Sequence, residues 1–281
     1  MPASAERVIR IGHSPDPDDA FMFYALTQGK LAAPRMKIQH VLKDIETLNQ
    51  WAIQGELEVT AFSLHAYAYC APRYRILAAG TSMGDGYGPI VVAKQAMTRK
   101  GLASATVAIP GKLTTASLVL GLYAGPVKTV VLPFDRILEA VRAGRVAAGV
   151  LIHEGQLTYA DCGVHKVVDL GWWWRRETGL PLPLGVNGVR RDLPAVEQRR
   201  MARLMRESIA YALRHRKEAL AYARRYARGL DRLRTDRFVR MYVNHWTEDC
   251  GKIGRAAMEA LLRRSAKARW IPPVRALEFV I

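Results

Sequence analysis

The sequence is poor in cysteine and has no long apolar run, and each shortage excludes a class of protein. The number of cysteines is odd, and the three, Cys70, Cys162 and Cys250, lie far apart in the sequence. This argues against a disulfide framework and against a zinc site. No stretch approaches the roughly 18 uninterrupted apolar residues that a membrane helix needs. The first residues carry charges with no apolar segment behind them, so we expect no secretory leader and a cytoplasmic protein.

Two motifs of catalysis and cofactor binding are also missing. The chain contains no G-x-S-x-G, so the nucleophile elbow of a serine hydrolase is not predicted. The run G-D-G-Y-G at residues 84–88 precedes an apolar segment instead of following one, so it is neither a dinucleotide fingerprint nor a P-loop. We interpret this run as a flexible loop beside a hinge. The sequence predicts neither a cofactor nor a metal.

Positive charge is abundant, but it is concentrated in the last third of the chain. The formal net charge is +17, and residues 190–281 hold 23 Lys and Arg against 10 Asp and Glu. The arginines there are interleaved with apolar residues at three- and four-residue spacing, which is typical of amphipathic helices with a solvated face. Attraction of an anionic substrate is the alternative. Because no nucleic-acid motif accompanies the charge, we expect neither nucleic acid nor a membrane as a partner.

The order of apolar segments predicts an α/β fold. Strand-like and helix-like segments alternate from residue 7 to about residue 80, and the alternation restarts after the strand-like segment GPIVVAK at residues 88–94. A second extended segment, LPLGVNGVRR at residues 182–191, leads out of the middle unit. Alternation of this kind indicates mostly parallel sheets with covering helices. From about residue 194 to about residue 267 the pattern is helical.

These segments divide the chain into two lobes that are joined by two hinge crossings. We expect residues 1–90 and 190–281 to form the first, discontinuous lobe and residues 91–189 to form the second. The C-terminal helices then return to the first lobe. We expect a ligand in the cleft between the lobes, because small-molecule sites favour domain interfaces.

The loop S-P-D-P-D-D at residues 14–19 follows the first predicted strand. Asp18 or Asp19 is a good N-cap for a helix that begins near Ala20, and the prolines favour a turn. Capping and turn formation are therefore the simplest interpretation of this loop. Metal binding through its aspartates and His13 is the alternative, but their spacing matches no metal-binding loop.

Two later corners place hydroxyl groups at predicted helix starts. Ser63 follows the strand-like segment LEVTAF, and Thr114 and Thr115 follow AIPGKL. Each hydroxyl alone is explained as an N-cap. At the cleft edge of both lobes, where helix N-termini expose free N–H groups, the hydroxyls together predict a pocket for carboxylate or hydroxyl groups of a ligand.

His153 is the candidate for acid–base chemistry. It closes the continuous apolar segment AAGVLIH, so we expect its ring to emerge at the same cleft edge. Imidazole both accepts and donates protons near neutral pH, which suits a catalytic role. A structural role for a lone histidine is the alternative interpretation.

Six motifs carry a resemblance to a known family. They are S-P-D-P-D-D-A-F at residues 14–21, D-I-E-T-L-N at 44–49, T-A-F-S at 60–63, G-K-L-T-T-A at 111–116, L-I-H-E at 151–154 and T-G-L-P-L-P-L-G at 178–185. In this order they resemble the 1,4-dihydroxy-6-naphthoate synthase family of the futalosine route to menaquinone. The resemblance runs from about residue 9 to the end, with the specific motifs in the first two thirds.

The resemblance implies a fold, a reaction and a set of site residues. The fold is that of type II periplasmic binding proteins, used by a cytoplasmic lyase that converts cyclic de-hypoxanthine futalosine to 1,4-dihydroxy-6-naphthoate without a cofactor. The family's proton acceptor falls on His153. Its substrate-binding corners fall on Ala61, Phe62, Ser63, Thr114 and Thr115. The loop residues Ser14 and Asp18 complete the predicted substrate site.

Two positions depart from the family pattern. The family loop commonly has Asn where this chain has Asp18, and some members carry Lys where Ala61 stands. Both changes make the cleft less positive. Two further functions stay open: chorismate dehydratase of the same pathway, which shares the fold, and a solute-binding protein without catalysis. The oligomeric state, including a homodimer, is also open.

Overall fold

Two β-sheets make up the framework of residues 7–281, the part of the chain that the computed structural model describes. The strands are β1 (Arg7–His13), β2 (Met36–Leu42), β3 (Val59–Ser63), β4 (Tyr74–Leu77), β5 (Ser82–Gly84), β6 (Ile90–Ala93), β7 (Thr106–Ile109), β8 (Lys128–Val131), β9 (Ala148–Leu151), β10 (His165–Asp169), β11 (Leu182–Arg190) and β12 (Phe279–Val280). The larger sheet has the order β12-β4-β11-β3-β1-β2, with β5 beside β11. The smaller has the order β10-β6-β9-β7-β8.

Helices cover the two sheets, and the predicted helical C-terminal segment is present. The helices are α1 (Pro17–Met22), α2 (Tyr24–Thr27), α3 (Ile45–Gln54), α4 (Leu64–Cys70), α5 (Arg99–Ala103), α6 (Thr115–Ala124), α7 (Ile137–Arg142), α8 (Leu170–Thr178), α9 (Ala195–Arg214), α10 (Arg216–Ala223), α11 (Arg232–Tyr242), α12 (His245–Glu248) and α13 (Gly251–Lys267). Single 3₁₀ turns occur at Phe134–Arg136, Glu154–Leu157, Tyr159–Cys162 and Arg224–Tyr226.

Local sequence explains the bounds of α3, which supports one wall of the cleft described below. Asp44 is its N-cap and accepts a hydrogen bond from the Thr47 N–H at 3.0 Å. Gly55 ends the helix with a φ of +79°, a left-handed conformation that glycine adopts without a steric penalty. Leu48, Asn49 and Ala52 are the buried residues between these two ends.

Both sheets are mixed, so the prediction of mostly parallel sheets is only half right. β1 pairs in parallel with β2 and β3, and β7 pairs in parallel with β8 and β9. β11 is antiparallel to β3 and β4, and β6 is antiparallel to β9 and β10. The antiparallel strands are the ones that arrive from the other sheet. β6 and β11 therefore enter their sheets from the end opposite to that of their neighbours. Neither is preceded by a helical crossover from a strand of the same sheet, which is the connection that keeps consecutive strands parallel.

Sheet membership refines the expected division into lobes. The larger sheet takes its strands from residues 7–84, 182–190 and 279–280, and the smaller takes its strands from residues 90–169. β11 lies wholly within the larger sheet, because its residues 185–189 pair with β3 and its residues 182–185 pair with β5. We therefore propose that the second boundary lies near Pro181 and not after Val189. The first boundary near residue 90 stays a prediction.

Two predicted helices differ in the structure. The helix predicted after the first strand breaks at Phe23 into α1 and α2. In the segment EGQLTYADCG the alternation that restarts after residue 94 predicts one helix, but the segment forms two 3₁₀ turns, Glu154–Leu157 and Tyr159–Cys162. The first of these turns begins with a side-chain cap, because the Gly155 N–H donates to Nδ1 of His153 at 2.9 Å. Gly163 ends the second turn with a left-handed φ of +68°.

The C-terminal segment packs on the larger sheet. Met201, Met205 and Ile209 of α9 are buried in the same cluster as Ile9 and Ile11 of β1. β12 adds a parallel strand beside β4. These contacts explain why the apolar stripe of α9 faces inward while its arginines remain on the outer faces.

The G-D-G-Y-G run packs closely against the start of α8. The Leu170 N–H donates to the Pro89 carbonyl oxygen at 2.9 Å, and a Cβ placed on Gly171 would lie 1.9 Å from the Tyr87 carbonyl oxygen. The Tyr87 hydroxyl also donates to the Met241 carbonyl oxygen. The first crossing between the sheets is therefore fixed by a backbone contact that only glycine permits. The G-D-G-Y-G run is thus held in place where it meets α8.

Gly171→Ala tests whether this backbone contact holds the crossing. Because the added methyl group overlaps the Tyr87 carbonyl, we expect the free energy of unfolding to fall by about 1–3 kcal/mol, measured by urea unfolding. Gly185→Ala is the matched control, since its nearest neighbour would lie 3.8 Å from the new Cβ. Equal stability of the two variants would show that the crossing tolerates a side chain at Gly171.

Candidate functional site

One cleft lies where loops of the two sheets meet. It encloses about 740 Å³ of empty space, part of it continuous with solvent, which is within the range of small-molecule sites. Its walls come mainly from the chain just after β1, β7 and β9, from the end of β3 and from β11. Seven of the predicted substrate-site residues line it: Ser14, Asp18, Ala61, Phe62, Ser63, Thr114, Thr115. Their roles stay predictions, but the structure brings them together.

The Ser63 corner is held by a buried asparagine. Ser63 has the N-cap position of α4, but its side chain makes no capping hydrogen bond, unlike the ordinary N-cap that the sequence suggested. Its N–H donates to Asn49 Oδ1 at 2.7 Å, and Asn49 Nδ2 donates to its hydroxyl oxygen at 3.2 Å. Asn49 is fully buried on α3. The Ser63 hydroxyl hydrogen is therefore free to point toward a ligand.

The threonine corner faces Ser63 from the smaller sheet. Thr114 caps α6 by accepting from the Ser117 N–H, as predicted, and donates to the Gly111 carbonyl oxygen at 2.9 Å. The Thr115 hydroxyl donates to the Leu184 carbonyl oxygen at 2.6 Å and accepts from the His65 N–H at 3.2 Å. Both threonines are buried, so their positions are fixed before a ligand arrives.

The 14–19 loop differs from its prediction, because neither Asp18 nor Asp19 is the N-cap. α1 begins at Pro17, and Asp16 occupies the cap position without a side-chain capping bond. Proline at the first helical position has the right φ and no N–H to satisfy, which explains the earlier start. Asp19 instead accepts from the Ser14 N–H at 2.7 Å, and this bond closes the loop.

Carboxyl groups crowd the part of the cleft wall that the 14–19 loop forms. Burial, followed by the negative charges of Asp19 and Asp16, raises the pKa of Asp18 well above its ordinary value. Burial raises the pKa of Asp19 to about 6, although the hydrogen bond from Ser14 opposes the shift. Asp19 in the cleft wall is thus able to exchange protons close to neutral pH.

His153 lies beside the cleft, because the residue before it in the chain lines the cleft wall. Ile152 is among the lining residues, but His153 is not one of those identified within residues 7–281. The ring is buried, at 6% exposure. Its Nδ1 accepts from the Gly155 N–H, and its Nε2 finds no hydrogen-bond partner within residues 7–281. Burial lowers the pKa of His153, which favours the neutral ring.

Two cleft residues come from parts of the chain in which the motifs suggested no site. Asn187 is buried inside β11, and its Nδ2 donates to the Gly80 carbonyl oxygen at 2.8 Å. Its Oδ1 has no partner in the described part of the chain, so it remains available to a ligand donor. Tyr242, at the end of α11, donates to Gln156 Oε1 at 2.7 Å. A polar residue within an apolar strand was the only sequence sign of Asn187.

Metal binding finds no support in the geometry. Among residues 7–281, no three His, Cys, Asp or Glu side chains are grouped closely enough to hold a metal ion. The alternative reading of the 14–19 loop as a metal site is therefore not supported there. Within residues 7–281, no helix has the length and apolar character needed to span a membrane.

Comparison with solved structures defines the fold class. The alkanesulfonate-binding protein SsuA from Xanthomonas axonopodis pv. citri is 15% identical, with a TM-score of 0.69 over 98% of each chain. The ligand-binding component of an ABC-type import system from Staphylococcus aureus is 12% identical, with a TM-score of 0.72 over 98% of this chain and 96% of that one. At these identities the likeness concerns the fold alone. The chain has the two-lobed fold of the periplasmic binding proteins.

Sequence comparison then identifies the family. The family model described as menaquinone biosynthesis matches residues 9–267. The 1,4-dihydroxy-6-naphthoate synthase of Thermus thermophilus is 44% identical over 93% of this chain and 94% of its own length. The protein of that name from Streptomyces coelicolor is 36% identical over 94% of this chain and 95% of its own. The chain belongs to the menaquinone biosynthesis family, which confirms the resemblance seen in its motifs.

A solved structure of higher identity has the same architecture. A protein from Archaeoglobus fulgidus whose crystal structure is known has 50% sequence identity with this chain. It superposes with a TM-score of 0.89 over 94% of this chain and 98% of the other. The two-sheet arrangement is thus shared across nearly the whole length.

Asp19→Asn tests what the buried carboxyl costs the fold. Because the pKa of Asp19 is higher in the folded than in the unfolded chain, its ionisation destabilises the protein as the pH rises from about 4 to about 6. We expect the variant to be more stable than wild type by about 1–3 kcal/mol at about pH 7.5, and to lose this advantage at about pH 4.

Urea unfolding at both pH values measures this difference. Asp135→Asn, on the surface, controls for replacement of a carboxyl by an amide. An advantage of Asp19→Asn that is the same at both pH values would show that the carboxyl is not the cause.

Proposed function

We propose that the protein is a 1,4-dihydroxy-6-naphthoate synthase that converts cyclic de-hypoxanthine futalosine to 1,4-dihydroxy-6-naphthoate. The observation that supports this most is the convergence of two hydroxyl corners and an acidic loop, from both lobes, around one cleft beside His153. Two relatives that carry the name of this enzyme match almost the whole chain. The family assignment supports a role in menaquinone biosynthesis.

Apolar side chains give the cleft room for a bicyclic ring. The lining includes the following apolar residues: Met22, Ile45, Phe62, Ile152, Leu184, Val186. A mostly apolar wall with a few fixed polar groups is the usual composition of a small-molecule site. The ring system of the substrate is proposed to lie against this wall, with its polar groups toward the polar side chains of the cleft.

The polar groups of the cleft wall differ in charge. Ser63 and the N-terminus of α6 offer a hydroxyl and N–H groups, which suit a carboxylate of the substrate. Asp18 and Asp19 offer carboxyl groups, which suit hydroxyl groups of the sugar-derived part. This assignment decides which part of the substrate meets which set of groups.

In the proposed mechanism, His153 removes a proton from the substrate, the sugar-derived fragment is eliminated and the ring becomes aromatic. Aromatisation supplies much of the driving force, so one positioned base, worth about 10² to 10⁴ in rate, is enough without a cofactor. The lowered pKa of His153 keeps the ring neutral, as a base requires.

The ring must change its hydrogen bonding to act as this base. Because Nδ1 accepts from the Gly155 N–H, the neutral ring carries its proton on Nε2. Nδ1 becomes available when that contact is released as substrate fills the cleft. Catalytic hydrogen bonds often reach their productive geometry only in the substrate complex, so the change required is a modest one.

We propose that this chemistry takes place in the cytoplasm, with the small-molecule substrate as the partner. Neither a homodimer nor binding to nucleic acid or membrane is part of the proposal. The absence of nucleic acid and membrane as partners stays a prediction from the sequence, and a homodimer stays one alternative for the oligomeric state.

The test is turnover of cyclic de-hypoxanthine futalosine by the purified protein, with release of 1,4-dihydroxy-6-naphthoate followed by chromatography. We expect wild type to form product and His153→Ala to be slower by about 10² to 10⁴. His165→Ala, which removes an exposed histidine in the same lobe, is the matched control and should keep wild-type turnover.

Two results would contradict this proposal in different ways. Wild-type turnover by His153→Ala would remove His153 from the reaction while leaving the function intact. No product from any variant, together with thermal stabilisation of all of them by the compound, would mean that the cleft binds the molecule without converting it.

A further inference from the structure

Arg228 lies in the short loop between α10 and α11, on the first-lobe side of the cleft. Its Nη1 donates to Asp16 Oδ1 at 2.8 Å and to Glu154 Oε1 at 3.0 Å, and its Nη2 donates to the Pro15 carbonyl oxygen at 3.1 Å. Asp16 and Pro15 belong to the 14–19 loop, whereas Glu154 directly follows His153. One guanidinium therefore joins the acidic loop of the first lobe to the histidine-bearing segment of the second.

Arg228 also reaches the surroundings of the His153 ring. Its guanidinium carbon lies 4.6 Å from the centre of the Phe134 ring, and that ring meets the His153 ring edge-on with centroids 5.6 Å apart. The backbone of Arg228 has a φ of +44°, which is an uncommon conformation for a residue with a side chain. The fold thus maintains an unfavourable backbone angle at the residue that makes these contacts.

We propose that Arg228 is a positioning residue for His153: it holds the segment that carries the histidine against the 14–19 loop, so that the ring stays at the edge of the cleft. The inference rests on the proposed function for its kinetic consequences, but the geometry that carries it doesn't involve the substrate. It also gives the basic C-terminal region a role besides covering a sheet.

Charge balance makes this contact difficult to replace. Glu154 is only 5% exposed, and Arg228 is the cation that pairs with it and with Asp16 at the same time. Removal of the guanidinium leaves two carboxylates facing each other without a counter-charge, one of them buried. The lobes should then separate at this edge, and His153 should move with Glu154. A displacement of about 1 Å at a catalytic group is enough to cost about 100-fold in rate.

The charged groups that face His153 give the proposal a specific signature. Burial lowers the pKa of His153, Glu154 and Asp16 raise it, and Arg228 lowers it. Glu154 Oε2 lies 3.8 Å from Nδ1. Loss of the Arg228 charge should therefore raise the pKa of His153, and loss of the Glu154 charge should lower it. A residue that stabilised the fold without lying beside the His153 ring would not produce such shifts of opposite sign.

The test compares Arg228→Gln, Glu154→Gln and Arg228→Lys with wild type. For Arg228→Gln we expect kcat to fall by about 10- to 100-fold and KM to change less, because Arg228 does not line the cleft as far as residues 7–281 define it. The acidic limb of the pH–rate profile should move up in Arg228→Gln and down in Glu154→Gln. Arg228→Lys restores the charge but not the double contact, so it should recover the limb and only part of kcat.

Arg234→Gln is the matched control. Arg234 of α11 donates to Asp161 Oδ2 at 2.8 Å, so it also links the C-terminal helices to the segment after His153. That pair is exposed, and among residues 7–281 neither member forms a hydrogen bond or an ion pair with Glu154. The control should leave both kcat and the pH profile unchanged.

A pH titration of the histidine NMR signals separates this inference from the proposed function, because it needs no substrate. The His153 signal is assigned from the spectrum of His153→Ala. A midpoint that rises in Arg228→Gln and falls in Glu154→Gln, with Arg234→Gln unchanged, supports the positioning role even if no variant turns over the substrate. A His153 midpoint that is the same in all the variants would overturn it, whatever the enzyme assay shows.

Discussion

Two extended crossings between the sheets decide where a functional site can form. β5 leaves the larger sheet and β11 returns to it as its antiparallel neighbour, so the two lobes are joined along one edge. With these crossings fixed, the loop after β1 and the end of β3 face the chain just after β7 and β9. Every residue with a proposed role lies on one of these four segments or on an element that contacts them. The cleft is thus a consequence of chain connectivity before any side chain is considered.

Contacts across the cleft then set its shape. The Glu46 carboxylate of α3 accepts from the Leu113 N–H at 3.0 Å, and the His65 ring of α4 lies 3.1 Å from the Thr114 carbonyl oxygen. Arg228 provides a further link between the lobes, from Asp16 to Glu154. A ligand between these contacts is surrounded by groups from both lobes, and the buried polar groups keep their positions because each is hydrogen-bonded to a neighbour. The arrangement favours a preorganised site over a loosely formed one.

Much of the site could be predicted from sequence, because its parts are local. The Ser63 and Thr114 corners are strand-to-helix junctions, which apolar patterning reveals one at a time. The partner of Glu154 could not be found in this way, since Arg228 lies 74 residues further along the chain and meets it only in the folded protein. The cap of α1 was predicted wrongly because Pro17 starts the helix before the aspartates. The antiparallel direction of β11 depends on its arrival from the other lobe, which no local pattern records.

The central claim is that the cleft between the sheets is the site where the substrate reacts. The most direct measurement is a crystal structure of the protein with 1,4-dihydroxy-6-naphthoate bound. The account predicts its carboxylate at Ser63 and the N-terminus of α6, its rings against the apolar wall, and Nδ1 of His153 released from the Gly155 N–H. A product molecule bound outside the cleft, or bound in it with its carboxylate toward Asp18, would contradict the account.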